Sequence, residues 1–374
     1  MGSIPTRRMN RPGPDMTAAD RNLPPTGVAG SDLERQAAKR LADALRQRGR
    51  AVSIESISVR ISEGSGVAIH ALLALAGGLI GLKWPLIGAA IVLIAAFSFY
   101  AERSLGLPLI GRLVPARASQ NVMSPPPGPA WDNDVEIVLT SGYDLPATYP
   151  TGEWLSRRFS GRITTDRLLL WAGIVPVFVA VMLLAAGVEG GWVKVILLTG
   201  SIVLLSMTAA QVDRGLSDDA EAGEADLKAT ENLLAVLDEA IDESDGDPPI
   251  AVCFFGAEAG SAQGAAAFFD DYQSSLRAKN AAVINFVNGA APGPRLTRKA
   301  RVLITAREGD LATMKMNDEL GSESPIKPEP AILRKTTAAT VARRRGMRST
   351  TVVGSGDDAV DVGLDLIDNS TPAS

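Results

Sequence analysis

Three acidic side chains stand where a folded chain could put them to chemical use: Asp144, Asp226 and Glu258. Asp144 closes the run Ser141-Gly142-Tyr143-Asp144 behind a short apolar stretch, Val135 to Thr140. Glu258 follows Gly256-Ala257 at the end of a second stretch, Ile250 to Phe255, and Asp226 lies in an acidic amphipathic segment, Glu221 to Ser244. Carboxylates brought together can move a proton or hold a divalent cation, and a set of three suits Mg²⁺ or Mn²⁺ better than zinc. Each also has a structural reading, because negative charge is favoured at helix N-termini and Asp is a turn residue. Asn288, behind Ala281 to Val287, is delivered in the same way.

The rest of the chemical inventory is thin. One cysteine and one histidine exclude an intramolecular disulfide, a Cys-rich zinc motif and any site built on two imidazoles. His70 lies in a long apolar run, so a Ser-His-Asp or Cys-His system elsewhere lacks its base; His70 itself reads as an interfacial residue hydrogen-bonding water or headgroups. Cys253 sits inside an apolar strand and reads as an inert core thiol. Gly354-Ser355-Gly356 is too short for a nucleotide fingerprint, and Asp357 and Asp358 behind it repel phosphate. The basic run Arg343 to Arg345 complements a helix end, and a net charge of −5 with a pI near 5.2 argues against a nucleic-acid partner.

What must position these groups is a series of alternating elements. Ser31 and Glu34 form an S-x-x-E capping box before Leu33, Ala37, Leu41 and Leu45, and Gly49 ends that helix. A strand over Val52 to Val59 follows, then a Pro- and Ser-rich loop from Ser119 to Pro129. Strands over Val135 to Thr140, Ile250 to Phe255, Ala281 to Val287, Val302 to Thr305 and Thr350 to Val353 alternate with helices near Ser261 to Lys279, Asp310 to Leu320 and Ala338 to Arg345. That alternation predicts an α/β domain with a mostly parallel mixed sheet covered on both faces. In such sheets the site lies at the carboxyl ends of the strands, where Asp144, Glu258 and Asn288 fall.

The chain is 374 residues long and 46% hydrophobic, and four uncharged runs of 18 to 21 residues account for the excess: Gly64 to Leu82, Trp84 to Ala101, Leu168 to Val188 and Val195 to Val212. Each approaches the ~20 residues that cross a bilayer. They come in pairs joined by short turns, so two transmembrane hairpins are expected. Arginines, among them Arg60, Arg103, Arg157, Arg158, Arg162 and Arg167, crowd the outer flanks, while the turns hold only Lys83 and Lys194. Positive charge stays in the cytoplasm, which places the polar domain on the cytoplasmic face of a multi-pass cell-membrane protein, with the lipid bilayer as its partner. The polar, proline-rich N-terminus has no apolar signal-peptide core. The resulting division is a disordered segment 1–28, one domain assembled from 29–63, 102–167 and 213–367, hairpins at 64–101 and 168–212, and a disordered tail 368–374.

Read in order, these segments resemble the co-catalytic zinc aminopeptidases, the family that includes glutamate carboxypeptidase and the transferrin receptor. Thr26-Gly27-Val28-Ala29-Gly30-Ser31 with its helix and Gly49 looks like the family's opening motif, and Ser141-Gly142-Tyr143-Asp144 like its Ser/Ala-His-Tyr-Asp. Phe254-Phe255-Gly256-Ala257-Glu258-Ala259-Gly260 with Gly264 is similar to Phe-Phe-Gly-Ala-Glu-Glu-x-Gly-x-x-Gly. Asp226 to Leu237 stands where the family has Asp-Asn-Ala-Ser-Gly, Ile284-Asn285-Phe286-Val287 looks like its Asn-Leu-Asp strand end, and Ala342 to Thr350 resembles its Arg-Arg-Gly-Ile-Pro-Ala segment. The resemblance implies a three-layer α/β/α fold interrupted by the hairpins, Asp226 at the bridging-metal position, Asp144 in the metal site and Glu258 as general base.

The same resemblance exposes departures. Gly142 replaces the first metal-binding His, Ala259 the second Glu and Val287 the strand-end Asp, and no imidazole exists within Gly354 to Asp358. Hydrocarbon side chains cannot ligate zinc, so tight binding of two zinc ions is not expected. The leading expectation is a membrane-anchored pseudopeptidase that binds a peptide or protein and carries no cofactor, with Glu258, Asp144 and Asp226 vestigial. The alternatives are an active exopeptidase with a rearranged zinc or other divalent-metal site, and a transporter or channel subunit. The last needs facing polar residues that the spans lack.

Overall fold

The computed structural model describes residues 26–60, 65–102, 109–113, 116–126, 135–145, 169–216, 227–244, 248–288, 295–302, 305–308, 329–333, 336–354 and 356–370. Asp226, the expected helix Asp310 to Leu320 and most of both terminal segments lie outside them. The strands are β1 Ser53–Val59, β2 Arg117–Ser124, β3 Ile137–Gly142, β4 Ile250–Phe255, β5 Ala282–Val287, β6 Arg295–Val302, β7 Thr305–Glu308, β8 Glu329–Leu333 and β9 Arg348–Val353. The helices are α1 Asp32–Gln47, α2 Ser65–Gly81, α3 Pro85–Tyr100, α4 Val175–Ala185, α5 Gly191–Leu216, α6 Lys228–Glu243, α7 Glu258–Ser261, α8 Gln263–Ala278, α9 Ala338–Arg344 and α10 Asp357–Ser370.

The strands form one mixed sheet in the order β1-β2-β4-β3-β5-β9-β6-β7, with β8 on β6. β3, β4, β5 and β9 run parallel at its centre, and β2 and β6 flank them antiparallel. The fold is therefore α/β, and β4 and β5 read as near-continuous apolar runs because both faces are covered. On one face Leu41 and Leu45 of α1, Leu233 and Leu237 of α6 and Leu364 of α10 bury Phe254, Ile284 and Phe286. On the other, Phe268 and Phe269 of α8 and Val341 of α9 cover Phe255, Val283 and Cys253. Burial pushes the Cys253 thiol well up, which keeps it protonated and unreactive. Arg48 clamps α1 to α6 through two bonds to Asp238, 2.6 and 2.8 Å long.

Two segments differ from their sequence reading. Ser119 to Ser124, expected as loop, belongs to β2, whose inward polar groups Ser119 and Asn121 are buried and hydrogen-bonded instead of solvated. The strand expected at Val302 to Thr305 is not a single strand: Val302 ends β6, Thr305 begins β7, and the two residues pair antiparallel.

The described residues of the four apolar runs are mostly helical. α2 and α3 form one antiparallel pair; a π-helical turn, Leu169–Ile174, leads into α4, which pairs with α5. Small residues let the pairs approach. Gly78 and Gly81 of α2 face Val177 and Val181 of α4, Gly77 meets Gly88 and Val92 of α3, and Gly200 of α5 meets Val177. The four helices share a core of Val67, Ala74, Val92, Phe99, Val181 and Leu204. Their outer surface is apolar as well, with Leu86 73%, Phe97 61%, Val195 61% and Leu198 61% exposed. Gly191–Asp213 is long and apolar enough to cross a membrane; Gly66–Gly81, Pro85–Tyr100 and Trp171–Ala185 are shorter apolar helices. His70 is not at an interface but inside the bundle, 2.7 Å from the Gly66 carbonyl and 3.0 Å from Ser98 Oγ.

A side chain at Gly88 would strike the Gly77 carbonyl at 2.5 Å and the Gly81 nitrogen at 2.6 Å. Gly88→Val is expected to lower the bundle's unfolding free energy by about 1–3 kcal/mol in denaturant titration. Gly191→Ala, whose added carbon meets nothing within 4 Å, should change it by less than about 0.5 kcal/mol.

Candidate functional site

The parallel central strands bring the segments singled out above to one edge of the sheet: Gly142 to Asp144 after β3, Gly256 to Glu258 after β4, Asn288 after β5 and Gly354 after β9. Asn288 accepts a bond from the Ala229 N–H at 2.7 Å and so caps α6. Asn232, one turn on, donates to the Gly354 carbonyl at 3.2 Å. The helix that follows Asp226 is thereby held against the ends of β5 and β9.

Asp144 and Glu258 meet, but as carboxylate and backbone. Asp144 Oδ1 accepts from the Glu258 N–H at 2.7 Å, and its Oδ2 accepts from the Ala259 N–H at 3.1 Å. Orphan N–H groups at a helix start need such an acceptor, and both oxygens of Asp144 serve as one. The Glu258 side chain folds back over β3: a carbon added at Gly142 would lie 2.6 Å from its Cγ and 2.7 Å from its Cβ. Glu258 is buried there, occupying the space that a side chain at 142 would need.

The loop bearing Glu258 is tight. Gly256 approaches Ser119 Oγ, the Gln120 carbonyl and Glu34 Oε1, and Gly264 packs onto the Gly256 carbonyl, so neither position has room for a Cβ. Ala257 and Ala262, on either side of α7, take left-handed conformations at φ 52° and 53°. Such a backbone costs an alanine roughly 1–2 kcal/mol each, so the surrounding contacts must impose it.

Much of that constraint comes from Glu34, a residue whose wider role the sequence reading missed. Ser31 Oγ caps the Glu34 N–H at 3.1 Å as the S-x-x-E pattern predicts. The Glu34 side chain, however, does more than close a local box. Its carboxyl accepts from the Gly30 N–H and from the Ser119 hydroxyl, both at 2.5 Å, and hydrogen-bonds the backbone of Ala257. Burial raises its pKa from 4.5 to about 7; the bonds to Ser119 and Gly30 oppose the rise, and the nearby Asp144 charge adds to it. The neighbouring Tyr143 phenol, buried and facing both carboxylates, is pushed far up and donates to the Gln120 carbonyl at 2.7 Å. The one clue in the sequence was the S-x-x-E spacing itself, whose local explanation was sufficient.

The described donors do not fit a zinc pair. Asp144 is turned onto two backbone N–H groups, Glu258 fills the place above Gly142, and Ala259 and Val287 offer hydrocarbon. Among the described residues no group of three His, Cys, Asp or Glu side chains is arranged to hold a metal ion.

No protein-family model matches the chain, and no curated protein matches it in sequence. Solved structures do resemble it in chain course. One is a zinc aminopeptidase from Bacillus subtilis, at 10% identity over 94% of this chain and 92% of that one, with a TM-score of 0.45. A glutaminyl cyclase from an Acidobacteriales bacterium matches at 10% identity over 97% of both chains, with a TM-score of 0.41. A leucine aminopeptidase precursor from Bacteroides thetaiotaomicron matches at 9% identity over 95% and 94%, also at 0.41.

Two outcomes follow from the site. A carboxyl whose folded pKa is raised binds its proton more tightly in the folded than in the unfolded state, so the stability it contributes is full below pH 4.5 and is lost as pH rises through 7. Unfolding measured across that window should lose about 3 kcal/mol, and Glu34→Gln should flatten the profile. Gly142→His should lower the thermal midpoint without creating zinc affinity, whereas the double variant Gly142→His/Glu258→Gly, which removes both the Cβ and the Cγ that block position 142, should fold as stably as Glu258→Gly alone.

Proposed function

We propose that the chain is an integral membrane protein whose peptidase-type α/β domain binds a peptide or protein partner and does not hydrolyse it. The observation that carries this reading is the Glu258 side chain lying over Gly142. A general base must reach the water that it deprotonates, and a two-metal site needs a ligand at the neighbouring strand end. Here the base position and the ligand position compete for one volume, and the base has filled it. Asp144 is held just as firmly by backbone N–H groups.

Membrane integration is supported by the bundle, whose large outward side chains are apolar on all four helices; a monomeric soluble protein rarely exposes so continuous a surface. Even numbers of spans keep every part of the α/β domain on one side, and the arginine-rich flanks put that side in the cytoplasm.

The test is elemental analysis of the detergent-purified protein beside a peptide-hydrolysis screen. The proposal expects less than one equivalent of transition metal and no turnover above background. Stoichiometric metal with hydrolysis abolished by Glu258→Ala would establish a rearranged metallohydrolase in its place.

A further inference from the structure

The bundle is short for a membrane protein, and its dimensions bear on which bilayer it fits. Among the described residues α2 has 17 and α3 has 16, so each spans about 25 Å against the ~30 Å of a typical hydrocarbon core. The second pair is slightly longer than the first. α5 is longer, at 26 residues, but Lys194 and Asp213 bracket its uncharged part, Val195 to Val212, at about 27 Å.

Exposed indoles mark both ends of this slab. Trp84 and Trp192 stand at the two hairpin turns, 53% and 55% exposed, and Lys83 Nζ lies over the Trp84 ring at 4.9 Å. Trp171, 56% exposed, stands at the opposite end, before Gly173, and Gly173 packs against Leu204 of α5. That contact puts Trp171 level with a point just beyond Leu204, about 20 Å along the axis from Trp192. Between these levels the outward surface is apolar, with Leu93, Ile94, Val179, Leu198 and Ile202 exposed. Tryptophan settles at the headgroup level on each side of a bilayer, and lysine at a span end reaches out to water. Tilt shortens a helix that is too long, but it cannot lengthen one that is too short. The two hairpins are also packed against each other through Gly78 and Gly81 of α2, which meet Val177, Leu197 and Val181, so the four helices meet the lipid as one body.

We infer that the apolar belt between Trp84/Trp192 and Trp171 is matched to a thin bilayer, with a hydrocarbon core of about 20–25 Å, and that its preferred lipid partner is short-chained. This rests on the membrane reading proposed above. The full chain is reconstituted into phosphatidylcholine vesicles with monounsaturated chains of fourteen, eighteen or twenty-two carbons, floated on a density gradient, and melted. The inference expects flotation with all three and the highest melting midpoint in the fourteen-carbon vesicles, falling by about 5 °C or more in the twenty-two-carbon ones. Flotation with a flat profile, or one rising with chain length, would overturn the thickness match and leave the membrane reading standing. A chain that floats with none of the vesicles would overturn both.

Discussion

A single buried carboxyl, that of Glu34, joins parts of the chain that lie far apart in sequence: the turn at Gly30, the start of β2 at Ser119 and the strained backbone at Ala257. Burying such a group costs several kcal/mol unless donors surround it, and these donors come from three separate segments. The loop after β4 can therefore be as tight as it is only while α1 and β2 are docked. Gly256 and Gly264 have no room for side chains because Glu34, Ser119 and Asn121 crowd them, and Ala257 and Ala262 accept left-handed backbone for the same reason. The placement of Glu258 over Gly142 is downstream of all of this.

That dependency explains which parts of the fold could be read from the amino-acid sequence. The parallel strands were legible because Ile250 to Phe255 is apolar throughout and Ala282 to Val287 is broken only by Asn285, as strands buried on both faces read. α1 was legible from its cap and four-residue periodicity. β2 was not, because its inward positions are Ser119 and Asn121, which look solvated until the partners Glu34 and the Gly264 carbonyl are known. Glu34 was hidden by the opposite problem: a local capping role accounted for it fully, so nothing pointed to its distant partners.

The same holds for the candidate site. The convergence of Asp144, Glu258 and Asn288 on one sheet edge follows from the parallel topology, and the alternating pattern implied it. Their chemistry does not follow from position. Asp144 and Asn288 both serve as helix caps, satisfying backbone N–H groups at the starts of α7 and α6, which is the ordinary use of such residues at such places. Backbone satisfaction is a full accounting requirement for buried termini, and it takes these groups before any ligand can.

The bundle and the α/β domain are compatible because of where the chain leaves the sheet. Val59 and Arg117 are register partners at the ends of β1 and β2, so the first hairpin departs and returns at one point, as an ordinary loop would. The Arg60 backbone is bracketed there by Gln263, whose side chain accepts from the Arg60 N–H at 2.7 Å and donates to its carbonyl at 2.5 Å. β1 runs parallel to β4, so the first hairpin is inserted at the edge that carries Gly142 and Glu258, and the second comes after β3 in sequence. An insertion at such a loop changes no strand pairing and no core contact, which is why the sheet could keep its order with two apolar hairpins in it.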